Sequence, residues 1–255
     1  MNCAFTLNHV TEIIEQAKED FALLTFQESE RRNQQTKPAI FLRHDIDHSL
    51  EDAIVLAQLE KDSGIRSTYF VQLHSPFYTI MDARGRECLQ MLCAMGHEVG
   101  FHYDISYYQT MGRPIVPGFK KDLALLGEIV GGEIKSAARH DPAAELLEDA
   151  VRRQLRESIS HDAYDDEFFK QMKYISDSNC RWRSGCCCNH LDNPAPMHIL
   201  IHPVWWVNDA PKWEDKLRQS VRRGMSRYSA MAEKTIAYYQ SCLQDRASRD
   251  KLFPV

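Results

Sequence analysis

The chain of 255 residues is 44% apolar, enough to bury one sizeable core, and its formal charge of −5 comes from interspersed acids and bases. That balance excludes the basic stripe of a nucleic-acid binder. No segment reaches the ~20 apolar residues of a membrane span, and MNCAFTLNHVTEIIEQAKED lacks the order of a secretory leader, so a cytoplasmic protein with one domain over residues 1–255 is expected.

Val10, Ile13, Ile14, Ala17, Phe21 and Leu24 recur at near-helical spacing and predict an amphipathic helix over residues 8–33, inside an N-terminal flank of residues 1–37. The apolar run Ala39–Asp45 after Pro38 reads as a strand buried on both faces. Ser49, with Asp52 three residues on, resembles a capping box, and Leu50, Ala53, Ile54 and Ala57 give the following helix an apolar face until Gly64. A strand over Ser67–Leu73, a helix over Glu87–Met95 stopped by Gly96, and a strand over Glu98–His102 come next. A helix in FKKDLALLGEIVGG, a strand over Ile134–His140, and strands in KYISDS and MHILIHPVWW continue the series, and residues 211–255 form a helical C-terminal flank. Strands alternating with helices across short connections predict a parallel sheet wrapped by helices, open or closed into a barrel.

Ligands of such sheets bind at the carboxyl ends of the strands. Four predicted strands end in suitable chemistry: Asp45 and Asp47, His102, Arg139 with His140, and His202. Any one of them alone reads as a helix cap or a hydrogen-bonded structural residue. Their recurrence at one end of one sheet points to a site. Carboxylates and imidazoles together suit zinc or a similar divalent ion, and three protein ligands beside an open position suit hydrolysis. Arg43 and Arg139 are candidates to hold Asp45 ionised or to grip an anionic substrate.

Eight cysteines in a chain of this length without a leader read as reduced thiols. Cys180, Cys186, Cys187, Cys188 and His190 crowd into SNCRWRSGCCCNH. Consecutive cysteines diverge and no second C-x-x-C pair completes a zinc site, so small loop thiols are the expectation there. Arg222, Arg223 and Arg227 read as a solvated helix face.

RHDID, GIRSTYFV, GHEVGFH and ILIHP, in that order, resemble the polysaccharide deacetylase family, the NodB-like carbohydrate esterases, over roughly Ala39 to Trp206. RHDIDHS, SDSNCRWR and LIHPVWW are similar to its WbmS-like branch, which is associated with surface-polysaccharide gene clusters. The resemblance implies an α/β fold, a distorted parallel (β/α) barrel of the deacetylase type, here with added N- and C-terminal helices. It implies Asp45 as general base, Asp47 and His102 as ligands of a divalent metal, with zinc expected, and His202 as general acid. It further implies that Arg139 orients Asp45 and that His97 is structural. The family motif continues H-x-x-x-H, whereas HYDIS puts Ser106 at the second histidine, and serine is a poor zinc ligand at neutral pH. His140 is the first candidate to complete the ligand set, with His48 and Asp104 in reserve.

The activity implied is removal of an N-acetyl or formyl group from an amino sugar, a precursor of a surface polysaccharide. Tyr103, Trp182, Trp205 and Trp206 are candidates to stack on a sugar ring, with core packing an equal alternative for each. A catalytically silent carbohydrate-binding relative and a hydrolase of small non-sugar amides are the other readings.

Overall fold

Alternation along Ala39–Ile46 sets the architecture: Phe41, Arg43 and Asp45 face the inside of a curled sheet, while Ile40, Leu42, His44 and Ile46 face out against helices. This strand is β2 of eight among residues 3–142 and 147–252, which the computed structural model describes. The others are β1 (Ala22–Leu24), β3 (Thr68–Val71), β4 (Glu98–Tyr103), β5 (Ser136–Arg139), β6 (His161–Asp162), β7 (Lys173–Ser176) and β8 (Met197–Ile201). Neighbours are parallel throughout, in the spatial order β6-β5-β4-β3-β2-β8-β7. β6 and β7 end this path, so the sheet curls into a distorted (β/α) barrel without closing. β1 occupies the first half of the β2 edge that β3 then takes over: Leu24 pairs with Phe41, and Thr68 with Arg43.

The helices are α1 (Leu7–Asp20), α2 (Leu50–Asp62), α3 (Ala83–Ala94), α4 (Ile105–Thr110), α5 (Ile115–Val130), α6 (Asp149–Arg156), α7 (Asp166–Phe169), α8 (Pro203–Val207) and α9 (Trp213–Leu252). One apolar layer joins α2, α3 and α5 to β3 and β4, and a second joins α1 and α8 to β2 and β8. A third cluster plugs the barrel with Phe26, Phe41, Phe70 and Phe168, whose paired ring centroids lie 4.7–5.6 Å apart. Burying each ring is worth about 1.5–3 kcal/mol relative to exposure. Gly100 on β4 makes room for this plug, because a Cβ there would stand 2.5 Å from the Phe70 ring.

The helix expected over residues 8–33 stops at Asp20. Phe21 turns extended, Ala22–Leu24 joins the sheet, and Phe26–Gln34 forms a 3-10 turn. The edge of β2 that β3 leaves uncovered supplies the backbone partners that continued helix would have supplied internally. The strand in MHILIHPVWW ends at Ile201, because Pro203 has the fixed φ that suits the opening position of α8. Ser49 caps α2 by accepting from the Asp52 N–H at 3.1 Å. The Asp52 carboxylate turns away to Ser220, Asn208 and Arg223, so half of the expected capping box becomes a tether for α9.

Candidate metal centre and catalytic site

Asp45 is fixed from inside the barrel. Arg43, wholly buried two residues earlier on the same face of β2, donates Nε to Oδ1 at 3.0 Å and Nη2 to Oδ2 at 2.7 Å. Its guanidinium lies over the rings of Phe70 and Tyr164, at 5.3 and 5.0 Å from their centroids, and Nη2 also donates to the Tyr164 hydroxyl. Two parallel N–H···O bonds fix the plane of the carboxylate. Burial opposes the Asp45 charge, but Arg43, joined by His102 and His202, outweighs it and holds the carboxyl below the usual aspartate range. Arg43 is therefore sealed beneath Asp45 rather than presented to a ligand. Arg139, the arginine expected beside Asp45, lines the cavity above.

Just past β2, Asp47 meets two histidines from neighbouring strands. Asp47 Oδ1 is 3.2 Å from His102 Nε2 and 3.3 Å from His140 Nδ1, and these two nitrogens are 3.3 Å apart. His102 donates Nδ1–H to the Ala138 carbonyl at 2.9 Å, which leaves a lone pair on Nε2 directed at Asp47 and His140. The Gln72 amide donates to Asp47 at 3.0 Å and stands 3.1 Å from His140 Nδ1, a donor placed where acceptors converge. A tetrahedral zinc ion with bonds of about 2.0–2.2 Å to nitrogen and oxygen holds its ligands about 3.3–3.5 Å apart. The three spacings match, so this donor set fits a divalent cation. When the nitrogens of His102 and His140 that face Asp47 are protonated, burial still works against the Asp47 charge, but their hydrogen bonds, with the charges of His102 and His202, outweigh it and hold its pKa well below the ordinary value.

His202 follows β8, on the other side of β2. Asp177, just after β7, accepts from His202 Nδ1 at 2.6 Å and from its backbone N–H, and also takes the Trp206 Nε1–H at 2.7 Å. This clamp turns Nε2 toward Asp47, whose Oδ2 is 3.6 Å away. Burial opposes the imidazolium, yet Asp177, then Asp47 and Asp45, outweigh it and raise the His202 pKa to about 9.

The five groups open onto a cavity of about 670 Å³ that Arg139, Tyr164, Tyr174, Arg183 and Trp205 also line. Of the remaining predicted residues, Tyr103 is buried with its hydroxyl on Asp162 and stands outside the lining. Trp182 packs against Phe5 and Trp206, and Trp206 is core. Ser106 bonds to Asp104, with both residues serving the start of α4, and neither belongs to the convergent donors. His48 lines the cavity beside Trp205, and burial lowers its pKa. The sequence reading missed Gln72 and Asp177. Gln72 carried the strand-end signal, following TYFV directly. Asp177 carried it too, directly after KYIS, although its part beside His202 depends on β7 lying beside β8.

No protein-family model and no curated protein matches the chain. Among solved structures, a polysaccharide deacetylase from Bacillus cereus aligns with 76% of this chain and 89% of its own at 16% identity and a TM-score of 0.46. The chitin deacetylase of Colletotrichum lindemuthianum aligns with 74% of this chain and 84% of its own, at 15% identity and 0.43. A CE4 family pseudoenzyme from Bacillus anthracis aligns with 74% of this chain and 62% of its own, at 11% identity and 0.45. At these low identities and scores, the functional reading rests on the site itself.

Proposed function

We propose that the protein is a metal-dependent hydrolase that removes an N-acetyl or N-formyl group from an amino sugar. The observation that carries this reading is the convergence of Asp47, His102 and His140, at 3.2–3.3 Å spacings, beside an arginine-clamped Asp45 and an aspartate-clamped His202. A divalent ion of the zinc type, held by Asp47, His102 and His140, would supply the Lewis acidity that activates water and polarises the acyl carbonyl. Asp45, kept ionised by Arg43, accepts the proton of the attacking water. His202, kept in one orientation by Asp177, donates from Nε2 to the departing amine as the C–N bond breaks, so that a carboxylic acid and a free amino sugar result. Trp205 offers an apolar face to a sugar ring, and Arg139 and Arg183 favour a substrate carrying negative charge, as a nucleotide-linked or lipid-linked sugar does.

The test is acetate or formate release from N-acylated amino sugars by the zinc-loaded protein and by the same protein after chelation. Release that depends on metal is expected. A fully metal-loaded protein that binds such sugars and hydrolyses none would instead be a silent carbohydrate-binding relative, the reading that Ser106 motivates.

A further inference from the structure

The cysteines of SNCRWRSGCCCNH meet partners from the other end of the chain. Cys3, ahead of α1, His9 in its first turn, and Cys186 and Cys188 in the β7–β8 connection bring one donor atom each within 4.8 Å of all the others. We propose that these four residues form a second, structural metal site of three thiolates and one imidazole, with zinc as its ion. It is independent of the catalytic reading.

The geometry argues for it at each ligand. A tetrahedral zinc ion with bonds of about 2.3 Å to sulfur and 2.0 Å to nitrogen places sulfur pairs about 3.8 Å apart and sulfur–nitrogen pairs about 3.5 Å apart. Cys3 Sγ and Cys188 Sγ are 3.6 Å apart, and His9 Nε2 and Cys186 Sγ are 3.3 Å apart. His9 is 2% exposed, and its Nδ1 lies 3.0 Å from the Glu12 carboxylate. A carboxylate on Nδ1–H fixes the tautomer that leaves the Nε2 lone pair free, the arrangement that metal-bound histidines adopt. All three consecutive cysteines are buried in the same apolar layer, but only Cys186 and Cys188 bring their sulfurs within reach of both Cys3 and His9, and Cys187 between them stays outside the set. Cys180 stays outside the set, and His190 lies against Lys173 and the Ser184 carbonyl. Four protein donors leave no open position, which distinguishes a structural ion from a catalytic one.

Such an ion would staple α1 to the connection whose Asn179, Arg183 and Ser184 line the catalytic cavity. Phe5 stacks on Trp182 from the same N-terminal segment, and Trp206 beside it holds Asp177. The site thus braces the wall behind His202 without touching the reacting groups.

Thiolate ligation makes this centre separable from the Asp47–His102–His140 centre, which has no sulfur. The full chain, purified under reducing conditions, is stripped and refilled with cobalt(II), and the sulfur-to-cobalt charge-transfer absorption is recorded. The band is expected in the wild type, in Asp47→Ala and in Cys187→Ala, and is expected to vanish in Cys186→Ser/Cys188→Ser. A folded wild-type protein without the band, an undiminished band in the double variant, or a Cys3–Cys188 disulfide in zinc-free protein isolated anaerobically would overturn the proposal. Should the double variant not fold, zinc-edge absorption of Asp47→Ala decides. Sulfur scatterers at about 2.3 Å are expected, and a shell of nitrogen and oxygen alone refutes the site.

Discussion

Two histidine–carboxylate clusters lie on opposite faces of β2, one open and one sealed. On the outer face, under α2, His44 Nε2 is 2.7 Å from Glu60, and Ser67 and Tyr69 donate their hydroxyls to the same carboxylate at 2.5 and 2.8 Å. His97 accepts from the Ser67 N–H and donates to the Ala57 carbonyl. Glu60 is wholly buried and its donors are all protein, so the cluster holds elements together and offers a ligand nothing. On the inner face the same residue types end in surplus: lone pairs of Asp47, His102 and His140 converge at a cavity. Residue type therefore marks neither cluster as functional. An excess of acceptors facing open space does.

The contrast can be broken most directly at Asp45. Asp45→Asn should lower acyl release by about 10²–10⁴-fold while metal content, measured on the same sample, stays unchanged. A matching change in the outer cluster should behave in the opposite way. Glu60→Gln should destabilise the fold by about 3–5 kcal/mol in urea unfolding, with the turnover of the folded fraction intact. Its pH signature has a defined sign. Burial raises the Glu60 pKa, but His44, joined by His97 and Ser67, outweighs it and holds the value below the ordinary 4.5, and burial holds His97 below 6.5. Both contributions are complete above those ordinary values and are lost as pH falls through the lower folded ones, so the outer cluster fails toward acid. Glu60→Gln should remove Glu60's own share of that loss, the part below pH 4.5.

Asp177→Asn sharpens the comparison on the inner face. Loss of a partner that orients a reacting imidazole should cost about 10–100-fold in kcat. Because Asp177 helps to raise the His202 pKa to about 9, the alkaline limb of the rate profile should also move to lower pH. An unmoved limb would remove His202 from the acid's place. The smallest effect is expected at Ser106. Ser106→Ala should leave metal content and rate within about twofold, the ±0.5 kcal/mol of an exposed site, since His140 stands among the convergent donors and Ser106 does not.

The alternation of strands and helices was legible because buried parallel strands are short apolar runs between helix signals, and β2, β4 and β8 each advertised their carboxyl ends in polar residues. Their convergence could be read because parallel strands deliver those ends to one side. β1 was not legible: three apolar residues after a helix satisfy either period, and only the uncovered edge of β2 decides between them. The roles of Arg43 and Arg139 could not be separated either, since facing inward on β2 and sitting beneath Asp45 depend on side-chain direction. The pairing of Asp177 with His202, and the approach of Cys3 and His9 to Cys186 and Cys188, belong to contacts between distant segments, on which local spacing is silent.

The position of β8 also bears on how the molecule is made. β8 pairs with the flank of β2, bringing the His44 ring to the Ile201 carbonyl across 157 residues of chain. Pairings this remote close late, after local βα units have formed, and a chain emerging from the ribosome forms its early units first. Asp47, His102 and His140 all precede that closure, whereas His202 and Asp177 arrive with it or shortly before. Under the proposed function, a nascent chain can thus assemble the three residues that would hold the cation before it owns the proposed proton donor, which would make loading and turnover successive events in the life of one polypeptide.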